Sequence, residues 1–297
     1  MNYLNLDKAV HSQNEIIAMS VLGVLVAVMF VAAIVIFIAY MVKHLFIGIE
    51  TFCIRVFKPQ LFFNHVYLKK QKLPVSLHGI LASEFEFYKR LSTKQQSYFV
   101  HRVAYYISSW EFIGKDIAIT DTMKVWTAAT AAKLTFGLRD YKFDLVDKII
   151  IYPQSYYSTI NKSMHKGEFN MAYKALVFSW KDFELGYLDT TDNINLGVHE
   201  YMHALHFSFL KNRRKSASAT LFLVAYNELI TYLMAHEPVK SALIQSGYFR
   251  AYAFENHFEF ISVLTENFIE TPEVFQSEFP VIYSKIKLML NFNFKGY

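Results

Sequence analysis

His199-Glu200-Tyr201-Met202-His203, within the run Asn193–Leu210, is the stretch that decides how this chain is read. It spells H-E-x-x-H. On a helix, positions i and i+4 lie on one face, so both imidazoles would address one point. That is the geometry of a hydrolytic Zn²⁺ site, with two histidine ligands and a neighbouring Glu200 able to take a proton from the attacking water. With 11 His and 16 Glu in 297 residues, only roughly 0.02 such strings are expected by chance. Leu196, Val198, Met202, Leu205 and Phe209 recur at helical spacing around it and predict a helix over 194–210.

A catalytic zinc needs a third protein ligand and an open position. The extension H-x-x-G-x-x-H is absent, because His206 and Phe209 stand at its Gly and His positions. A carboxylate on a later helix is the other solution. Glu228 follows His203 by 25 residues and Glu259 by 56. Spacing alone favours Glu228. Asn256-His257-Phe258-Glu259 also reads as a capping box, in which Glu259 would reach back to the Asn256 backbone.

Working outward, Ile16–Val42 holds 27 residues without a charge. As a helix this run is ~40 Å long against a hydrocarbon core of ~30 Å, so it predicts one transmembrane helix. Residues 1–15 form a short tail before it. Residues 43–72 form a basic and apolar juxtamembrane segment carrying Lys43, Arg55, Lys58, Lys69, Lys70 and Lys72 against Glu50 alone. That surplus accounts for the whole chain's net charge of +5. The remainder is neutral, so the charge suits anionic lipid headgroups and topology control and argues against a nucleic-acid partner. The basic flank predicts a single pass through the cell membrane with residues 73–297 in the cytoplasm. One cysteine, Cys53, excludes an internal disulfide and a cysteine zinc site.

The soluble part reads as helix over 80–108, a short strand at Asp116–Thr120, and a helix from Asp121 or Thr122 to Phe136 stopped by Gly137. Lys148–Tyr152 reads as a buried strand and Lys174–Trp180 as an edge strand that could pair with an extended peptide substrate. Helices follow at 217–236, 256–270 and 273–290. Strands first and helices later predict an α+β domain.

From about Leu73 onward the chain resembles the MtfA family of zinc peptidases, which are similar in catalytic site to the anthrax lethal factor protease domain. The likeness is carried by Leu77-His78-Gly79-Ile80-Leu81, Phe87-Tyr88-Lys89-Arg90-Leu91-Ser92, Ile119-Thr120-Asp121-Thr122-Met123-Lys124-Val125 and Leu134-Thr135-Phe136-Gly137-Leu138. It continues through Ile151-Tyr152-Pro153, Phe178-Ser179-Trp180, Asn195-Leu196-Gly197-Val198 and Glu266-Asn267-Phe268-Ile269-Glu270. The resemblance implies a zincin-like metallopeptidase domain with a small mixed sheet and several helices. It also implies Glu259, opening Glu259-Phe260-Ile261-Ser262, as third ligand beside His199 and His203. Glu200 becomes the general base, Tyr252 a donor to the oxyanion, and Glu266 a supporting group. His206 stands where the family usually has Asp.

Two functions follow from the likeness. One is a membrane-anchored zinc peptidase, aminopeptidase-like in the family's manner, acting on a peptide or protein substrate. The other is a membrane-tethered interaction module that sequesters a transcriptional regulator, with a structural or regulatory zinc, since the family takes its name from holding a repressor.

Overall fold

The computed structural model describes residues 3–57, 59–158, 162–294 and 296–297, with side chains from residue 18 onward. Met1 and Asn2 of the predicted tail, and Lys58 of the basic flank, lie outside the described residues. The chain divides into two compact units, Met1–Ile49 and Glu50–Tyr297.

The first unit is helical throughout its described length, being part of α1 (Tyr3–Val56). Residues 3–15, read as a tail, continue this helix, since no Pro interrupts it. The portion Ala18–Val56 is long and apolar enough to cross a membrane, with nothing buried across its most apolar stretch. The helix stops ahead of Pro59, as the residues before a proline are steered out of helical geometry.

The second unit contains α2 (Val75–Glu84), α3 (Glu86–Arg90), α4 (Thr93–Ser109), β1 (Glu111–Gly114), α5 (Asp121–Thr135), β2 (Lys148–Tyr152), β3 (Tyr156–Ser158), β4 (Ser163–His165), β5 (Gly167–Asn170), β6 (Ala175–Ser179) and α6 (Trp180–Leu188). Then come α7 (Leu196–Asn212), α8 (Ala217–Ala235), α9 (Glu237–Gln245), a 3₁₀ turn (Ala251–Phe254), α10 (His257–Glu270), α11 (Pro272–Glu278) and α12 (Pro280–Met289). This is an α+β fold, mostly helical with a small mixed sheet. Strands run in the order β1-β2-β6-β5, with β5 alone antiparallel to its neighbour, and β3 and β4 form a separate two-stranded ribbon.

The Ala-rich α5 is buried along almost its whole length, and α2, α4 and α7 pack on it. Small side chains let these helices approach closely. Gly137, predicted as the stop of α5, is required by proximity rather than by a left-handed backbone. A Cβ there would lie 2.3 Å from the Asn291 carbonyl oxygen. The fully buried Arg102 of α4 is satisfied by the carbonyls of Thr135 and Leu138 and by the Tyr67 hydroxyl at 2.7 Å. It thereby ties residues 65–67 to the end of α5. Ile54 and Leu61 join Ala217 and Leu221 in a small apolar cluster, so residues before 73 contribute packing to this unit.

Four local expectations change. Asp116–Thr120 is irregular, with Asp116 at φ 59°, and the strand is the preceding Glu111–Gly114, which pairs in parallel with β2. The helix read over 80–108 is three helices, broken at Phe85 and at Ser92, where a capping box with Gln95 starts α4. The helix over 273–290 is broken at Phe279, because Pro280 opens a new one. Lys174–Trp180 is no edge. Lys174 lies in a turn at φ 48°, and β6 sits between β2 and β5 with every residue buried. The outer strand on that side is β5, which is too short and polar for its alternation to show.

α8 is also apolar and long enough to span a membrane, but half of it is buried, against α7 and α12. It is a core helix of the second unit.

Candidate metal centre

α7 runs through the core of this unit, in contact with α5, α6, α8, α10, β5 and β6. That explains why eleven of its residues, His199 and Glu200 among them, are buried on nearly all faces. Asn195 caps it, accepting from the Val198 amide at 2.9 Å. The same residue donates from its amide side chain to Gly186 and to Glu270. The helix start is thus fixed to α6 and α10.

α10 crosses α7 and begins at Asn256, whose side chain accepts from the amides of Phe258 and Glu259. The cap therefore forms, but the Glu259 carboxylate does not return to it. It turns to the histidines, with Oε2 at 2.9 Å from His199 Nε2 and 3.4 Å from His203 Nε2. The two Nε2 atoms are 3.1 Å apart. His199, His203 and Glu259 thus form a group whose ligand atoms could hold a metal ion. Glu228, the competing carboxylate, lies elsewhere, on α8, paired with Lys285 at 2.5 Å.

A second layer holds the first. His199 Nδ1 lies 2.8 Å from Glu266 Oε1, and Glu266 also accepts from Arg250 at 2.5 Å and from the Asn195 amide at 2.7 Å. Three donors thus converge on the Glu266 carboxyl oxygens. With Nδ1 donating to Glu266, Nε2 is the His199 atom turned to the centre, and a metal bound there would take the place of its proton. Ser262 Oγ stands 3.4 Å from His203 Nδ1 and orients that ring in the same way.

The electrostatics express a demand for positive charge. Burial disfavours the His199 cation, yet the carboxylates of Glu259 and Glu266 outweigh it and raise its pKa to about 10. Burial works against Glu259 ionising, but the two histidines hold it well below the usual carboxylate range. Glu200 is pushed the other way. Its burial dominates, Glu259 and Glu168 add to it, and the pKa rises despite the nearby histidines.

The group opens on a cavity of about 320 Å³ lined on one side by β5 and on the other by Tyr252 and Phe258. Gly167 opens β5 directly over Glu200. A Cβ at that position would stand 2.7 Å from Glu200 Oε1 and 2.6 Å from a Leu196 methyl. Tyr252 is 44% exposed, its ring centroid 5.9 Å from that of His199. Burial and the Glu259 carboxylate raise its phenol pKa. Glu168 of β5 lines the cavity too. Nothing in the sequence marked it, since it lies in a short polar strand with no periodicity. His206 points away from the group, among the rings of Phe222, Tyr226 and Phe258. Burial lowers its pKa to about 4, with His203 adding to the effect.

An uncharacterized protein of Synechocystis sp., slr2042, is 22% identical over 241 residues, covering 74% of this chain and 85% of the relative. A model of the glucose-regulated metallo-peptidase M90 family matches residues 63–290, a range that includes α7 and α10. The MtfA-like resemblance is borne out, and the family implies a metal ion in a chain that has a His-His-Glu group to receive one. The chain therefore belongs to the glucose-regulated metallo-peptidase M90 family.

Proposed function

We propose that this protein is a membrane-anchored zinc peptidase whose ion is held by His199, His203 and Glu259. The observation that carries the reading is the triangle of donor atoms, with sides 2.9, 3.1 and 3.4 Å. Ligands ~2.0–2.1 Å from a tetrahedral zinc stand ~3.3–3.4 Å apart, so this donor set fits with an adjustment of a few tenths of an ångström. Two imidazoles and a carboxylate also match zinc better than the all-oxygen sets preferred by Mg²⁺ and Ca²⁺.

When bound, zinc supplies Lewis acidity, favouring ionisation of a water and polarising a carbonyl. Glu200 takes the water's proton on its carboxylate and passes it to the nitrogen of the leaving amine. Its raised pKa suits a group that must both accept and release a proton. Tyr252 keeps its proton at neutral pH and donates a hydrogen bond to the oxygen of the scissile carbonyl as charge grows there. β5 offers an outer edge on which an extended peptide aligns as an added strand. Glu168, on that strand, is placed to bind a free α-amino group, the feature an aminopeptidase needs. In this reading α1 anchors the chain in a membrane, and the basic residues after it keep residues 50–297 on the cytoplasmic side.

The test is metal content and peptide hydrolysis measured on the same samples. One zinc per chain, lost in His203→Ala together with activity, is the expected result. Full hydrolysis by a protein freed of metal would end the proposal.

A further inference from the structure

The turn from α7 to α8 reads Lys211-Asn212-Arg213-Arg214-Lys215, four cations in five residues with no acid. Arg55, in the last turn of α1, comes to the same place. A cavity of about 400 Å³ is lined by Arg55, Arg213 and Arg214, with Thr220, Asn227 and the apolar Leu223. By contrast Arg139 pairs with Glu50, and each side-chain nitrogen of Arg102 is hydrogen-bonded. Here all three arginines are exposed, and among the described residues none has a carboxylate within ion-pair distance. Only one further contact is seen, from Arg213 Nη1 to the Leu210 carbonyl at 2.8 Å. Three arginines line one hollow, where their like charges repel and their planar guanidinium groups can offer paired donors to an anion. Phosphate oxygens are the match for that geometry.

The surroundings select the source of the phosphate. Next to Arg55 in the chain, Phe52, Val56 and Phe57 are exposed at 57%, 57% and 73%, and Phe62 at 53%. Exposed apolar rings beside unpaired cations suit a bilayer surface, where the rings enter the acyl boundary and the cations meet headgroups.

We propose that the cavity between Arg55 and the Arg213-Arg214 turn binds the phosphate of an anionic phospholipid. The proposal rests on the membrane-anchored reading of α1. It does not depend on the metal centre, which is built from other residues.

The experiment is native mass spectrometry of the full chain in detergent, titrated with phosphatidylglycerol, phosphatidylcholine, inorganic phosphate or a short oligodeoxynucleotide. The full chain should retain phosphatidylglycerol over phosphatidylcholine, and Arg213→Gln/Arg214→Gln should weaken that retention on the order of 30-fold, from about one kcal/mol per cation at an anionic surface. Arg213→Lys/Arg214→Lys, which keeps the charge, should retain an intermediate preference and guards against misfolding of the Gln pair. Alkaline extraction of membranes reports anchoring separately, and both variants should stay membrane-bound. Equal retention of the two lipids, an unchanged preference in the Gln pair, or displacement of the lipid by inorganic phosphate or oligonucleotide at equal concentration would each overturn the proposal.

Discussion

His199 and Glu266 meet through a 2.8 Å hydrogen bond at Nδ1, on the side of the ring away from Glu259. Glu266 is 1% exposed and is itself pinned by Arg250 and by the Asn195 amide. This contact sets which nitrogen of His199 faces the centre. Glu266→Gln should weaken metal binding ~10–100-fold while leaving the fold intact. Competition with a chelator of known affinity measures it, and an unchanged metal affinity would show that the ring is oriented by something else.

The two candidate carboxylates separate cleanly. Glu259→Ala removes one corner of the donor triangle and should cost the protein its bound metal. Glu228→Ala loses only a surface pair with Lys285 and should keep full metal content, with a stability change within ~1 kcal/mol. Metal analysis of the two purified variants decides, and the opposite pattern would reassign the third ligand.

How much of this was legible in the sequence follows from the range of each interaction. The pairing of His199 with His203 is local, set by one helical turn, so spacing alone revealed it. The choice between Glu259 and Glu228 depends on which later helix crosses α7, and helical pattern carries no information about that. Only the family likeness pointed to Glu259. The Asn256 cap was legible and formed, yet its expected partner Glu259 was drawn off by two imidazoles. β5 and Glu168 were invisible, because a four-residue strand with every residue half-buried has no alternation to detect. For the same reason β6 was taken for the edge it does not occupy.

Gly167 leaves no free room for a methyl unless its neighbours shift. Gly167→Ala places a methyl against the side chains of Glu200 and Leu196, and relieving it moves Leu196, the Glu200 carboxylate or the strand. We expect a loss of ~1–3 kcal/mol in stability, as for other overpacked sites, and a fall in kcat/KM. Thermal unfolding and peptide hydrolysis check it together. Wild-type values for both would mean that β5 lies farther from Glu200.

Glu168→Gln should discriminate between substrates with free and blocked N-termini. If Glu168 binds the α-amino group, the variant loses rate on free peptides and little on acetylated ones. A parallel loss on both would assign Glu168 to something other than N-terminal recognition.

Acid should destabilise the second unit in part through His65. Burial, with Arg102 adding to it, lowers the pKa of this imidazole from 6.5 to about 3. Between those values the unfolded chain binds the proton and the folded chain does not. Stability therefore rises with pH across that window and is lost as pH falls below about 6.5. His65→Asn, which keeps an acceptor for Arg102, should flatten the fall in urea midpoint between pH 7 and pH 5. An equally steep fall in the variant would place the proton uptake on other groups.

The most direct test of the central claim is Glu200→Gln, assayed for bound zinc and for peptide hydrolysis in one preparation. The carboxylate lies beside the metal group without belonging to it, so the variant should keep one zinc per chain while hydrolysis falls ~10²–10⁴-fold. Hydrolysis at the parent rate with zinc in place would contradict the account.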